Sequence, residues 1–215
     1  MNALTRRLVL LIVALPVLAG GGCSSMLGGK PQAFTLYAPA YTAADATRAG
    51  PKVDWQLVVE TPIASDALST ARLLAVPAPG VIEVFPDARW RDPAPAMLRD
   101  LIVQAFEESG RILGVGGSAT NLRGDYALSL ELRALQADFA DSPPHALVSF
   151  RARLLDFTSN RVLAARSFQA VAPLQGRDSA SAFAALQVAL NEVLPQLVDW
   201  TLEQGAQARS QSPAP

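Results

Sequence analysis

Between residues 126 and 133 apolar and polar side chains alternate. Tyr126, Leu128, Leu130 and Leu132 are separated by Ala127, Ser129, Glu131 and Arg133. The same period returns at Val148, Phe150, Ala152 and Leu154 against Ser149, Arg151 and Arg153, and more weakly over 162–171. Alternation sends one residue set to each face of a strand, so these runs predict an antiparallel meander with one buried and one wet face. Asp141-Ser142-Pro143-Pro144 and Thr158-Ser159-Asn160 supply the turns between them. Upstream, 55–60, 69–76 and 81–85 read as strands, with Pro77-Ala78-Pro79-Gly80 turning between the last two. Short strands are expected at 34–37 and 112–115.

Two stretches switch to the helical period. Met97, Leu98, Leu101, Ile102, Ala105 and Phe106 share one face, after Asp92 as the expected N-cap and Pro93 at the first helical position; Gly110 supplies the stop. Phe183, Leu186, Leu190, Val193 and Leu197 step by three and four from an opening near Asp178-Ser179. Pro195 lacks the N–H for its helical bond and predicts a kink or an early end. Strands, helix, strands, helix predict an α+β fold: a mixed, largely antiparallel sheet with two helices packed on one face. The single domain is expected over 53–203. Residues 204–215 carry no apolar period and are expected to form a disordered tail.

The N-terminus has a different character. Arg6 and Arg7 precede a twelve-residue apolar run, 8–19, with no acid before Asp45. That length suits a signal-peptide core and falls short of the roughly 20 residues of a spanning helix. Residues 1–22 are therefore read as a signal peptide, and 23–52 as a processed N-terminus and tether with one short strand. Leu18-Ala19-Gly20-Gly21-Gly22 ends on the only cysteine, Cys23, and resembles a bacterial lipobox with two extra glycines. By that resemblance Cys23 carries the lipid and attaches the protein to a membrane; cleavage as an ordinary secreted protein is the alternative. Several acyl chains on one cysteine exceed the marginal hold of a single chain, at about 0.8 kcal/mol per buried CH₂. Ser24 and Ser25 follow in place of Asp, which by likeness to lipoprotein sorting signals favours the outer membrane, facing the periplasm.

Composition removes most chemistry. The 215 residues hold 18 Lys+Arg against 19 Asp+Glu, for a net charge of −1, without the basic stripe of a nucleic-acid binder. One Cys and one His exclude an internal disulfide and the common zinc ligand sets, and no cofactor is indicated. The lone His145 follows two prolines in a predicted hairpin loop, and no G-x-S-x-G elbow presents a serine. Glu107 and Glu108 are adjacent on a helix end and point apart. Gly114-x-Gly116-Gly117 lacks the Lys-Ser/Thr of a P-loop and reads as a flexible connection. No catalytic residue is assigned. Trp90, bracketed by Arg89 and Arg91, is the candidate partner interface, although edge tryptophans more often seal a core.

In order along the chain stand the lipobox cysteine, the segment Phe34-Thr35-Leu36-Tyr37, paired strands ending near Trp90 and a proline-started helix to Gly110. Asp125-Tyr126-x-Leu128 then opens the meander, followed by Arg166-x-Phe168 and an Ala-rich helix to Trp200. This set resembles the auxiliary lipoprotein family of ABC-type transporters, which includes the lipoprotein of the paraquat-inducible system. The resemblance implies a non-enzymatic outer-membrane lipoprotein that partners an Mce-domain protein and its ABC transporter in moving lipids or hydrophobic solutes. A second copy of the chain is a further candidate partner. A stand-alone envelope assembly lipoprotein and, lacking a catalytic base, a periplasmic hydrolase are the alternatives.

Overall fold

The computed structural model describes residues 33–42 and 50–211. The leader, Cys23, most of the tether and the last four residues lie outside them. In order come β1 (Thr35–Tyr37), β2 (Val53–Val59), β3 (Ile63–Ala64), β4 (Arg72–Ala78), β5 (Val81–Trp90) and α1 (Ala94–Ser109). Then follow β6 (Ile112–Gly117), a 3-10 turn at Ser118–Thr120, β7 (Tyr126–Asp138), β8 (His145–Asp156), β9 (Val162–Pro173) and α2 (Ser179–Gln211).

β7 organises the sheet. One of its edges pairs antiparallel with β8 along nearly its whole length, and β8 pairs antiparallel with β9. Its other edge is shared in steps by three parallel strands: β2 at Tyr126–Leu128, β3 at Glu131 and Leu132, β4 at Gln136–Asp138. β6 continues outward from β2, and β5 and then β1 from β4. The sheet is thus mixed, and its longest ladders are antiparallel. A bulge between Leu132 and Ala134 leaves Arg133 in solvent and restores the buried phase at Ala134 and Leu135.

Both helices cover one face of this sheet. The six α1 residues picked out by their spacing are all buried, each stabilising by about 1–3 kcal/mol according to size. The helix begins one residue later than expected: Pro93, not Asp92, stands at the N-cap, with no side-chain cap. Asp92 instead pairs with Arg91 at 2.8 Å, while the Ala94 N–H donates to the Thr70 carbonyl at 3.0 Å. Gly110 ends the helix at φ 61°, the left-handed turn that glycine adopts without a Cβ penalty.

Two expectations fail for the same kind of reason. The glycines after 112 do not form a loose connection: β6 pairs Gly114, Gly116 and Gly117 with Gln56, Val58 and Val59 of β2. Likewise α2 passes through Pro195 and runs to Gln211, so 204–211 are helix and not a disordered tail. Val193, Leu194, Leu197 and Val198 are fully buried on either side of the proline. Their packing holds the turn that has lost one backbone bond. Farther on, the Gly205 carbonyl accepts a bond from the Tyr126 hydroxyl at 3.2 Å, tying the last turns to β7. In each case tertiary contact decides what local preference leaves weak.

Candidate interaction surface

β5 ends in the sequence Ala88-Arg89-Trp90, and strand alternation sends Ala88 and Trp90 inward and Arg89 outward. Trp90 is 1% exposed, so the indole is a core element and offers no surface to a partner. Its ring lies 6.3 Å from Phe183 of α2, and Phe183 stacks on Tyr37 of β1 at 4.5 Å. The backbone locks the same corner: the Trp90 N–H donates to the Ala71 carbonyl at 2.7 Å, and the Arg91 N–H to the Tyr37 carbonyl at 2.8 Å. Arg89 is half-buried and spends its guanidinium on the carbonyls of Phe85 (3.1 Å) and Ala88 (2.7 Å), beside the Phe34 ring. Arg91 is exposed and ion-paired with Asp92, which raises its pKa further. The candidate Trp-Arg cluster is therefore a joint that seals the N-terminal segment onto α2.

That segment is held along its length. Past β1, Gln187 of α2 accepts the Ala40 N–H at 2.9 Å and donates to the Ala40 carbonyl at 2.6 Å. Tyr41 is buried. The expected tether thus ends at about Phe34, and residues 34–42 belong to the folded body.

The remaining candidates do not converge. His145 opens β8, with Nδ1 3.4 Å from the Pro143 carbonyl. Glu108 accepts a bond from Gln104 at 2.7 Å. Trp55 and Trp200 are buried, in T-shaped contact with Tyr126 and Phe168. Among the described residues no three His, Cys, Asp or Glu side chains gather as metal ligands, and no helix is long and apolar enough to cross a membrane.

What the fold does present is surface. On the sheet face away from the helices, Glu131 accepts from Arg133 at 3.1 Å and faces Arg153 at 3.6 Å, with Arg151 opposite it on β8. The Arg133 hydrogen bond, with the charges of the three arginines, holds the Glu131 carboxyl below its ordinary range. A polar depression of about 420 Å³ lies where the β8–β9 turn meets the end of α2, lined by Tyr126, Asp156, Arg161 and Gln207. An apolar groove of about 440 Å³ runs between the end of β9 and the first turns of α2. Among the described residues β9 is an edge strand, paired on one side only. Sequence reasoning missed this edge, because periodicity identifies a strand but not its neighbours.

The described residues thus form a mixed-sheet α+β domain with an edge strand and shallow surface grooves. The chain belongs to the ABC-type transport auxiliary lipoprotein component family, whose model matches residues 34–198. It is similar to the solved structure of protein XCC0632 from Xanthomonas campestris, a DUF330 protein. The two are 37% identical with a TM-score of 0.74, over 82% of this chain and all of that one. A second solved structure, of an uncharacterized protein, shares the fold at TM-score 0.56 and 14% identity, over 84% and 99% of the chains. The uncharacterized protein bll6063 of Bradyrhizobium diazoefficiens is 24% identical over 181 residues. These are 84% of this chain but 48% of that relative, so the chain spans about half the relative's length.

Proposed function

We propose that this auxiliary transport lipoprotein is anchored in the outer membrane through a lipid on Cys23. There it acts as a non-catalytic docking component of an Mce-type ABC system that moves lipids or hydrophobic solutes through the periplasm. Family membership over 34–198 carries this reading. The matched body begins a short way past Cys23, which leaves the basic n-region, the apolar core and the small residues before Cys23 for export and anchoring. Ser24 and Ser25 favour the outer membrane by likeness to sorting signals. The Mce-domain partner follows from the resemblance of the ordered sequence features.

The test is detergent extraction of the tagged full-length protein from its native envelope, followed by affinity purification and intact-mass analysis. The expected result is a triacylated Cys23 at the N-terminus, recovered from outer-membrane fractions together with a permease, an ATPase and an Mce-domain protein. Cys23→Ala should release the protein from the membrane. An unmodified cysteine would overturn the anchor, and purification free of transport subunits would overturn the docking role.

A further inference from the structure

We propose that the open edge of β9 accepts an extended strand of a partner protein. That strand carries apolar side chains at alternate positions and an acidic side chain opposite Arg166. The inference deepens the docking role proposed above, and its geometry stands on separate observations.

β9 spans Val162–Pro173 and, among the described residues, pairs only with β8, leaving a 12-residue edge of main-chain donors and acceptors without a sheet partner there. Native sheets blunt such edges by keeping them short, bulging them, charging them or covering them. This edge is long and mostly Ala, Val and Leu; its one charge is Arg166, its one register shift lies at Leu163 near the start, and its one proline is at the last position. Val162 and Val171 are about half exposed.

α2 passes beside the edge and leaves a groove between strand and helix. Ala172 and Pro173 form the strand wall, and Ala180, Ala184 and Val188, spaced one helical turn apart, form the helix wall. Val188 is 57% exposed. A strand added about 4.8 Å from β9 would continue the main-chain ladder and turn every second side chain toward α2. The alanines leave room there for side chains of valine or leucine size.

Charge selects the occupant. Arg166 lies opposite Ala152 in the β8 ladder and therefore on the helix-facing side. Its guanidinium rests over the Phe168 ring at 5.1 Å. It has no ion-pair partner among the described residues, Glu192 on the next turn of the α2 flank included. β9 contains no acid, so a second copy paired through the same edge would bring another arginine and no counter-charge. An acidic residue directly opposite on a different strand would meet Arg166 at cross-strand distance.

The experiment uses the detergent-solubilised full chain and a labelled peptide, Val-Thr-Val-Thr-Val-Thr-Asp, which runs antiparallel from Ala172 to Arg166. Saturable binding is expected by fluorescence anisotropy. Val188→Glu and Arg166→Glu should each weaken it about tenfold, with thermal midpoints unchanged because both side chains are exposed. A peptide ending in Lys should prefer the Arg166→Glu variant over the wild type. Absent binding, or binding indifferent to both substitutions, overturns the proposal. So does self-association in sedimentation that Val188→Glu abolishes, which would give the edge to a second copy. Peptide binding without recovered transport subunits would keep the groove and remove the transport partner; the reverse result would keep docking and remove the groove.

Discussion

Gly205 of α2 lies directly on the indole of Trp55. A Cβ at that position would stand 2.9 Å from Trp55 Cε2, closer than real Cβ contacts come, and a tight 3.0 Å from Cη2. Trp55 is 1% exposed and held edge-on against Tyr126, so it cannot swing away. Gly205→Ala would gain up to about 1 kcal/mol in helix propensity but meet an overpacking cost of roughly 1–3 kcal/mol. The expected net result is a lower melting temperature, with faster amide exchange from Gly205 to Gln211. A raised midpoint would show that the helix lifts off Trp55 without cost.

That contact also explains which parts of the fold were legible in the sequence. The alternation at Tyr126–Leu132 and Val148–Leu154 and the helical spacing of Met97–Phe106 are carried by large side chains, and all three elements form as read. The end of α2 is held through Gly205, which has no side chain to contribute to a period. The strand expected at 112–115 forms, but its glycines read as a loose connection, because Gly114 and Gly116 join the sheet through their backbone. Asp92-Pro93 carries a helix-start signal, yet the Thr70 carbonyl provides the first bond and Asp92 turns to Arg91. For the candidate site, identity and neighbours in sequence marked Arg89, Trp90 and Arg91 alike. Only the strand's facing separates the buried Trp90 from the half-buried Arg89 beside it. The open edge of β9 is a matter of topology, which no local pattern encodes.

Trp90 and Arg91 should therefore part company on substitution. Trp90→Ala removes a fully buried ring between β5 and α2, and the expected loss is about 3–5 kcal/mol, read as a drop in the urea midpoint. Arg91→Ala touches an exposed ion pair and should stay within about 0.5 kcal/mol of the wild type. Equal, small effects in both variants would return Trp90 to the surface.

The N-terminal segment depends on Gln187. Its side-chain amide satisfies both the N–H and the carbonyl of Ala40, a two-point clamp between α2 and the chain that leads to Cys23. Gln187→Ala should cost roughly 1–2 kcal/mol globally. Its larger signature should be local, as accelerated hydrogen exchange and proteolysis across residues 34–42 with β7 and β8 unchanged. If protection in that segment survives, the stack of Tyr37 on Phe183 is sufficient to hold it.

Acid sensitivity should trace to Glu131, held down by Arg133, and to two carboxylates hydrogen-bonded to serines. Asp178 caps α2, accepting from the Ser181 N–H and hydroxyl at 2.9 Å each, and Asp156 accepts from the Ser159 N–H and hydroxyl at 2.7 Å. These bonds favour the ionised form and lower both pKa values. With the folded value below the unfolded one of about 3.9, their stabilisation is complete at neutral pH and fades as the pH falls through the folded value. The wild-type urea midpoint should hold steady down to about pH 5 and decline below about pH 4. Asp178→Ala should lower the midpoint at neutral pH by an amount that shrinks as the acid limb is entered. Asp178→Asn keeps an acceptor for the Ser181 N–H without a titrating charge, so it should retain most of the neutral-pH midpoint while flattening the acid decline. A wild-type and Asp178→Ala pair that stay equally far apart down to pH values below the folded pKa would show that the cap does not act through its charge.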